Sequence, residues 1–577
     1  MSAVHKLITD HLDIWTAADT EKKSGRGRAA GSANSVYGIK KLRELILELA
    51  VRGKLVPQDP NDVSLENLMR HIEVQDNASS RKNRKKSSGV DKVNIPPSWR
   101  HIKLSQLVRI INGRAYKKEE LLATGTPVLR VGNLFTSDHW YYSDLTLESD
   151  KYCDSGDLLY AWSASFGPFI WSGERAIFHY HIWKLDFYFP DLISKKYLYT
   201  YLLQQTQKIK ASGHGVMMVH MTKEKMEELL VNLPPLEEQN RIVAKVDELM
   251  ALCDQLEQQH NNAAEAHEQL VSHLLGTLTQ SQDPDDFNAN WQRIADHFDT
   301  LFTTESSIEA LKQTILQLAV MGKLVRQDPN DEPASELLKR IKAERAKFIA
   351  EEKIKKGNPL PPMTDKDKPF ELPDRWTWVQ WNEILAYDDA AFKRGPFGSS
   401  LTKGMFVESG YKVYEQYCPI NDDCSFERYY ITAQKFEEMK GFAVKAGDYL
   451  VSCSGATLGR ITQVPPDFKE GIINQAILRV RINHQYYDNN FFKLLFRSEF
   501  FQRQITDNST GSAIPNVKGV KDLKIMPVPL LGTAEQVRIV NKVEELMKLC
   551  EQLKSRISNK LNQQRKLAIE IVKQTAN

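Results

Sequence analysis

Two glycine-punctuated stretches concentrate side chains that can bind phosphates and the edges of nucleic-acid bases. The first holds Arg114, Tyr116, Lys117 and Lys118, and the second holds Lys393, Arg394, Ser399, Ser400 and Lys403. Arginine presents a planar fork of donors to two acceptors of a guanine edge, lysine attracts phosphate as a point charge, and serine pairs with any base. The pattern indicates nucleic-acid contacts; the alternative is a pair of ordinary solvated turns.

Histidines and cysteines offer a second kind of chemistry, metal binding. His179 and His181 stand two residues apart, so a strand would place both on one face, but no third ligand is in sight. Structural histidines are therefore the favoured interpretation. The six cysteines form no CxxC pair and no zinc spacing, which indicates buried thiols in a reducing compartment.

Motifs of nucleotide-binding and catalytic proteins are missing from the sequence. It contains no GxxxxGK[ST] phosphate loop and no GxGxxG after a strand. The signature of amino-methyltransferases, Asn or Asp before Pro-Pro and an aromatic, is also absent, because Asn232-Leu-Pro-Pro-Leu lacks the adjacency and the aromatic ring. We therefore expect no active site in this chain.

Length and charge set broad limits. A chain of 577 residues predicts three to five domains. Its 77 basic and 74 acidic residues exclude a uniformly basic coat but not local basic patches. No apolar run reaches the length of a membrane span, and the N-terminus does not resemble a signal peptide, so we expect a cytoplasmic protein.

The chain repeats itself. Block A, Ile39–Asp62, returns as Ile308–Asp331 with 16 of 24 positions identical by direct count. Block B, Gln239–Leu256, returns as Gln536–Leu553 with 13 of 18 identical. A long variable segment separates A from B in each half, so the order describes a pseudo-two-fold object written on one polypeptide. Its partner should then be two-fold or bipartite as well.

Composition divides the chain into helical and β-rich segments of an α/β (α+β) protein. They are a helical region 1–75 with a flexible stretch 20–35, a linker 76–94, a β-rich globule 95–235, a helical region 236–345 opening with a long helix 236–275, a linker 346–371, a second β-rich globule 372–531 and a C-terminal helix 532–577.

Apolar residues recur at heptad spacing from each block B onward. Ile242, Leu249 and Leu256 mark one seam of the first helix, and Ile539, Leu546 and Leu553 mark that of the second. About 33 residues at about 1.5 Å each predict helices of about 50 Å. Two such stripes in one chain most simply pack on each other as an antiparallel coiled coil, with a more solvated end where polar residues interrupt the seams.

The run LPPLEEQNRIVAKVDEL, after a β-rich segment and before a heptad helix, resembles the specificity (S, or HsdS) subunits of type I restriction–modification enzymes. Further stretches agree in order: IPPSW and LPDRW opening the variable segments, KRGPFGSSL, GDYLVSCSGATLGRI, INQAILRV and TGSAIPNVKG. The first block A is similar to the type IB branch in particular. The resemblance covers nearly the whole chain.

This resemblance implies a non-catalytic subunit with two target recognition domains, each contacting one half of a bipartite, asymmetric site in double-stranded DNA. The paired helices would set an unread spacer of about 6–8 base pairs, since half-sites about one helical turn apart present the same face. Two modification subunits would dock on the repeats and methylate adenine N6, and restriction subunits would translocate and cleave. S-adenosylmethionine, ATP and magnesium would then bind to these partners, and no cofactor to this chain.

The resemblance also implies further DNA-facing residues in two loops of each variable segment. They are Ser163, Ser165, His214, His220 and Lys223 in the first segment, and Ser454, Thr457, Arg460, Ser512, Asn516 and Lys518 in the second. Two rival functions stay open: a scaffold whose two modules bind proteins rather than DNA, and a self-sufficient nuclease or methyltransferase. The first predicts no salt-steep DNA binding, and the second requires a catalytic constellation.

Overall fold

A computed structural model describes most of the chain, and its contacts divide the chain into two compact units. Unit 1 comprises Met1–Glu265 and Ser558–Asn577, and unit 2 comprises Ala266–Ile557. The described residues are 3–16, 36–78, 94–135, 137–163, 166–212, 221–282, 284–355, 359–397, 400–455, 457–507 and 516–576. The stretch predicted to be flexible and most of the first linker lie outside this set. Both units mix helix and sheet, so the expected α/β class with two sheet-rich parts is confirmed.

The elements of unit 1 follow the helix–sheet–helix order that the composition predicts. Its described helices are α1 (Ala3–Asp10), α2 (Leu12–Thr16), α3 (Tyr37–Val51), α4 (Glu66–Ala78), α5 (Leu104–Leu107), α6 (Val131–Phe135), α7 (Lys195–Ser212), α8 (Lys223–Glu227) and the first part of α9 (Leu236–Gln280). Its described strands are β1 (Arg100–Lys103), β2 (Val108–Asn112), β3 (Thr126–Leu129), β4 (Tyr141–Ser143), β5 (Tyr152–Cys153), β6 (Leu158–Ala161), β7 (Gly167–Ile170), β8 (Ala176–Phe178), β9 (Ile182–Phe187) and β10 (Leu230–Leu233).

Two four-stranded sheets form the variable segment of unit 1. The first has the order β2-β9-β6-β7 and is antiparallel, and the second has the order β4-β3-β8-β5 with β3 and β8 parallel. Strands β1 and β10 pair antiparallel, so the chain enters and leaves the segment side by side. Leu42 of block A, Trp99 of the variable segment and Ile242 of block B belong to one buried cluster, which joins all three segments in one core.

Unit 2 follows the same order. Its described helices are the rest of α9, α10 (Pro284–Asp296), α11 (Phe298–Leu301), α12 (Glu305–Val320), α13 (Ala334–Ala350), α14 (Tyr417–Asn421), α15 (Ala433–Glu438), α16 (Asn489–Arg497), α17 (Glu499–Ile505), α18 (Val520–Lys524) and the first part of α19 (Thr533–Ala576). Its described strands are β11 (Thr377–Gln380), β12 (Phe392–Arg394), β13 (Tyr411–Tyr414), β14 (Tyr430–Ile431), β15 (Tyr449–Ser452), β16 (Ile461–Gln463), β17 (Gly471–Ile473), β18 (Ile477–Val480), β19 (Thr506–Asp507), β20 (Asn516–Val517) and β21 (Pro527–Leu530).

The sheets of unit 2 repeat the pairing of unit 1 with small changes. One sheet has the order β12-β18-β15-β16, another has the order β14-β13-β17 with β13 and β17 parallel, and β19 pairs with β20. Strands β11 and β21 close the segment as an antiparallel pair. Leu311, Trp376 and Ile539 share one buried cluster that again unites block A, the variable segment and block B.

The helix that opens block A stops two residues before a glycine in both units. Helix α3 stops at Val51, and Gly53 adopts a φ of +70°. A Cβ atom added there would lie 2.4 Å from Cγ of Pro96, and one added at Gly322 (φ +72°) would lie 2.5 Å from Cγ of Pro373. Glycine is required at both positions because the backbone is left-handed and the incoming proline leaves no room.

A buried carboxylate ties the three segments of unit 1 together. Indole Nε1 of Trp99 donates to Glu238 Oε2 at 3.0 Å, and Nε2 of Gln58 donates to Glu238 Oε1 at 2.6 Å. We call these three residues junction 1. Beside them Arg241 forms two hydrogen bonds, of 2.7 and 2.6 Å, to the carboxylate of Asp62.

The same contacts recur in unit 2 as junction 2, which consists of Trp376, Gln327 and Glu535. Indole Nε1 of Trp376 donates to Glu535 Oε2 at 3.0 Å, and the Gln327 amide donates to Oε1. Burial raises the pKa of Glu535, as it does that of Glu238, and in both cases the hydrogen bonds from tryptophan and glutamine oppose the rise. The tryptophans of IPPSW and LPDRW therefore fix each variable segment to the blocks on either side.

One of the two long helices extends beyond its predicted end. Helix α9 has 45 residues and continues to Gln280, past the predicted end at residue 275, and Leu278 in this extension is buried. Helix α19 has 44 residues, Thr533–Ala576, within the predicted range 532–577. Along α9, Val246 lies in the core of unit 1 and Leu275 in that of unit 2. Leu270 and Leu567, at equivalent positions of the two halves, are 49% and 51% exposed.

The repeat also extends further upstream than the sequence analysis recognised. ITDHLDIW (Ile8–Trp15) and IADHFDTL (Ile294–Leu301) match at four of eight positions by direct count. Ile8 and Trp15 are buried in unit 1, as Ile294 and Leu301 are in unit 2. These segments lie at different distances from block A, because Trp15 is far from Ile39 whereas Leu301 is close to Ile308. A simple alignment of the blocks therefore does not show the similarity.

The structure gives information on membrane spans and on the cysteines. No helix within the described ranges combines the length and apolarity that crossing a bilayer requires. All six cysteines are free thiols, five of them buried and Cys424 partly buried.

Candidate nucleic-acid interface

The predicted loop of unit 1 crosses the turn between β8 and β9. After β2 ends, the N–H of Gly113 donates to Ile182 O at 3.2 Å and that of Arg114 to Phe178 O at 3.1 Å. A Cβ atom added at Gly113 would lie 2.3 Å from His179 O, so only glycine permits this approach. The basic loop and the histidine pair were two separate predictions, and in the structure they lie next to each other.

Arg114 and Tyr116 form the centre of this surface. The guanidinium of Arg114 pairs with Glu120 at 2.6 Å and lies 5.4 Å from the centroid of the Tyr116 ring, which stacks on His179. Among the described residues, Nη1 of Arg114 and the hydroxyl of Tyr116 are buried and have no hydrogen-bond partner. Burial raises the pKa of Tyr116 far above its ordinary range, so the hydroxyl keeps its proton. Two unsatisfied donors next to solvent favour a ligand at this place.

Aromatic rings continue the surface from Tyr116. His179, Tyr180 and His181 lie against one another with centroid distances between 3.9 and 4.9 Å, and Trp162 packs on His181 at 5.0 Å. Burial, together with His181 and Arg130, lowers the pKa of His179 to about 4. The imidazole is therefore neutral at pH 7. No group of three or more His, Cys, Asp or Glu side chains in the described part of the chain is arranged to hold a metal ion.

The depressed pKa of His179 predicts a pH dependence of stability. In the unfolded chain this histidine takes up a proton near pH 6.5, and in the folded chain only near pH 4. Between these values the unfolded state binds more protons, so falling pH should destabilise unit 1. We expect the melting temperature of the wild type to fall more steeply than that of His179→Asn between pH 6.5 and 4. Parallel curves for the two proteins would contradict the assignment.

The other predicted residues of unit 1 are less concentrated. Lys117 and Lys118 are exposed beside Arg114, and Ser163 follows Trp162. Lys223 instead opens α8, which packs on α5 at the start of β2, whereas Arg114 follows the end of that strand. Five strand residues, about 16 Å, separate the two ends. Ser165, His214 and His220 lie outside the described residues.

Three segments that are distant in the sequence converge in unit 2. Arg394 ends β12, and its Nη2 donates to Oδ1 of Asn516 at 3.4 Å. Asn516 bridges to Ser454 in antiparallel fashion, and Nε2 of Gln416 donates to Ser454 at 3.0 Å (backbone O) and 3.2 Å (Oγ). Within the described ranges, Nε of Arg394 is buried without a partner, while the guanidinium lies 5.2 Å from the ring of Phe397, which is 62% exposed.

Lys393 behaves differently from its neighbour Arg394, because adjacent strand residues point to opposite faces. Its Nζ lies 4.2 Å from the ring centroid of Phe442, and burial, with Arg479 nearby, lowers its pKa. This lysine packs against the protein and does not line the surface around Arg394.

The remaining predicted residues of unit 2 lie in loops that flank its strands. Ser400, Lys403 and Arg460 are exposed, Lys518 is partly exposed, and the carbonyl of Thr457 accepts a hydrogen bond from Ser452 at 2.6 Å. Ser399 and Ser512 lie outside the described residues. Gln416, which the sequence analysis missed, could not be recognised because its contacts come from strands more than 30 residues away.

A buried charge network lies in the same sheet as Arg394, and the sequence patterns did not predict it. Asp448 accepts hydrogen bonds from Nε (2.7 Å) and Nη2 (3.0 Å) of Arg481, and Nε of Arg479 lies 3.9 Å from it. In unit 1 the matching pair is Asp157 and Lys184, 2.6 Å apart. The Gly-Asp dipeptide before β6 and β15 was the available signal, since each of these strands pairs with a strand that carries a basic residue, Lys184 on β9 and Arg479 on β18.

Comparison with known proteins gives the family. Residues 96–266 match the family described as the type I restriction modification DNA specificity domain. The chain is 34% identical to the EcoAI type I restriction enzyme specificity subunit of Escherichia coli, over 96% of both chains, and 34% identical to the EcoEI specificity subunit, over 98% of both. A chain from a solved structure on assembly and conformational transition of the type I R-M system aligns with 84% of this chain and 99% of its own length (16% identity, TM-score 0.44). The protein thus belongs to the family of type I restriction enzyme specificity subunits.

Proposed function

We propose that each unit contacts one half of a bipartite, asymmetric DNA sequence, through the surface around Arg114 in unit 1 and that around Arg394 in unit 2. One observation carries the proposal: both guanidinium groups lie beside an aromatic ring and keep a buried nitrogen without a partner among the described residues. A guanine edge supplies the two acceptors that such a group lacks.

Cations on the chain segments that form each surface fit the contacts with phosphates that position the DNA. They are the exposed Lys117 and Lys118 in unit 1, and in unit 2 the exposed Lys403 and Arg460 and the partly exposed Lys518. Lys223, at the other end of β2 from Arg114, would contact a phosphate away from that centre. Ser163, Ser400, Ser454, Thr457 and Asn516 complete the proposed set, together with the predicted residues outside the described ranges. Because phosphate contacts release counterions, binding should weaken steeply with salt. A scaffold that binds only proteins would lack this dependence.

We further propose that α9 and α19 form an antiparallel coiled coil that fixes the spacer between the half-sites. In support, the first part of α9 contributes residues to the core of unit 1 and its last part contributes residues to the core of unit 2. The pseudo-two-fold relation of the blocks supports an arrangement in which the two helices run in opposite directions.

An insertion tests this role of the helix. Four residues added between Gln255 and Gln269 lengthen α9 by about 6 Å, the rise of about two base pairs. We expect the recognised spacer to lengthen by one or two base pairs while both half-sites stay the same. Methylated sites with the old spacer would contradict the proposal, and four alanines added after Ala576 serve as the control.

The same repeats would dock the catalytic partners. Blocks A and B occur once in each unit, and this two-fold repetition suits two copies of one modification subunit. In this proposal adenine methylation, restriction and the binding of S-adenosylmethionine, ATP and magnesium belong to the modification and restriction subunits, and this chain contributes sequence selection.

The decisive experiment maps N6-methyladenine in a methylation-free bacterial host that expresses the chain with its cognate modification subunit. We expect a bipartite motif with a fixed spacer, which disappears when this chain is omitted. A stable complex that leaves the genome unmethylated would favour the scaffold instead.

A further inference from the structure

A turn of three residues is held in place by the backbone in unit 1. In turn 1 (His179–His181), the first N–H donates to Leu129 O at 2.9 Å, and the last carbonyl accepts the N–H of Trp162 at 3.1 Å. Directly after the turn, Ile182 O accepts the N–H of Gly113 at 3.2 Å. Three separate segments therefore fix the turn.

The same bonds hold turn 2 (Asn474–Ala476) in unit 2. Its first N–H donates to Tyr414 O at 3.0 Å, its last carbonyl accepts the N–H of Cys453 at 2.9 Å, and Ile477 O accepts the N–H of Gly395 at 2.9 Å. A Cβ atom added at Gly395 would lie 1.8 Å from the carbonyl oxygen of the turn's first residue, the same close approach that Gly113 makes. The two turns share one backbone framework.

The side chains on this framework differ completely between the units. The middle residue of each turn is the most exposed: Tyr180 is 39% exposed, and Gln475 is exposed as well. The first residue of turn 2, Asn474, uses Oδ1 to accept the N–H of Ala476 at 3.0 Å and so holds the turn. In turn 1 the phenol ring of Tyr180 packs against both imidazoles, with centroid distances of 4.5 Å to His179 and 3.9 Å to His181.

We infer that Tyr180 and Gln475 are specificity-determining residues, each reading a base edge in the half-site of its own unit. This inference rests on the proposed function and adds residues that were assigned no role in it. Both side chains are uncharged, so they suit base edges better than phosphates, and both stand on a turn fixed at three points next to Arg114 or Arg394.

The chemistry of the two side chains gives different expectations for the bases. The amide of Gln475 offers one donor and one acceptor side by side, the pattern that matches N7 and N6 of adenine in the major groove. We therefore assign an A·T pair in the half-site of unit 2 to Gln475. The single hydroxyl of Tyr180 makes one hydrogen bond, so its selection should be weaker.

The test uses the full chain with its modification subunits and maps N6-methyladenine for Tyr180→Ala and Gln475→Ala. We expect Gln475→Ala to relax one A·T pair of one half-site, with discrimination at that pair reduced roughly tenfold to hundredfold. Tyr180→Ala should relax one pair of the other half-site by a smaller factor, and Tyr180→Phe should do the same while keeping the ring. The spacer and the untouched half-site should not change.

Matched controls come from the opposite ends of the same strands. Tyr188 follows β9 and is 41% exposed, and Gln485 lies exposed beyond β18. Alanine at either position should leave the motif unchanged. The inference is overturned if Tyr180→Ala and Gln475→Ala both methylate the wild-type motif with wild-type selectivity, or if they act no more than the controls. A wild-type complex without any bipartite motif would overturn the proposed function itself, which separates the two failures.

Discussion

Replacing Asp448 with alanine is expected to destabilise the sheet of unit 2 by about 3–5 kcal/mol, because it leaves two buried cations without their shared partner. Arg479 is fully buried and Arg481 nearly so. Burial lowers the pKa of Arg479 to about 10, which reflects how poorly its charge is solvated. After the substitution, Asp388, 2.7 Å from Nη1 of Arg481, and the backbone carbonyls that accept from the two guanidinium groups would compensate the pair only in part.

Hydrogen exchange of the full chain measures this loss locally. Amides of β15 and β18 should exchange about a hundredfold faster or more in Asp448→Ala, because exchange follows the free energy of local opening. The matched control is Asp157→Ala in unit 1, whose carboxylate and its partner Lys184 are 24% and 16% exposed. Water can replace part of that interaction, so the effect should be clearly smaller. Equal effects in the two units would contradict the role assigned to burial.

Replacing Arg394 with alanine should abolish selection at one base pair of one half-site, at a cost of about 1–3 kcal/mol in discrimination. The substitution removes the guanidinium that bonds Asn516, and it leaves Asn516 and Ser454 in place. Competition binding to DNA libraries by the complete methyltransferase complex should show the change in one half-site, with the spacer retained.

Lys403→Ala is the contrasting variant, since Lys403 is exposed on the same stretch of chain and lies at the start of a short helical turn. A phosphate contact carries no sequence information, so affinity should fall by a similar factor for all sequences. The slope of log affinity against log salt should decrease by about one. Arg394→Ala with unaltered sequence preference would sink the assignment of Arg394 to a base.

Local patterns predicted the elements whose causes are local. The end of α3 follows from Gly53, whose φ of +70° only glycine tolerates, and the long helices follow from the heptad spacing. Helix α9 continues five residues past its predicted end at residue 275, because Leu278 is still buried there. The helices of blocks A and B thus depend on residues close to them in the sequence, which is why local patterns predict them.

The site depends on contacts between distant segments, so sequence patterns predict some of its residues but not which of them meet. Arg394, Ser454 and Asn516 were each singled out, but that they meet is decided by the pairing of β12, β15 and β18 and by the bridge from Ser454 to Asn516. Lys393 was chosen for its charge, yet strand alternation turns it toward Phe442. His179 looked like a metal candidate or a structural residue, and only the fold shows that Tyr116 stacks on it.

The junctions of Trp99 with Glu238 and of Trp376 with Glu535 have a consequence for how such proteins change. Each variable segment is attached through one tryptophan near its beginning, and its first and last strands pair with each other. The carboxylate that accepts the tryptophan stands directly before block B and is also bonded to a glutamine of block A. A foreign segment that brings its own tryptophan and closing strand would find the same acceptor carboxylate waiting. If each segment reads its own half-site as proposed, exchange of a whole segment would then change one half-site without any adjustment of the helices that carry it.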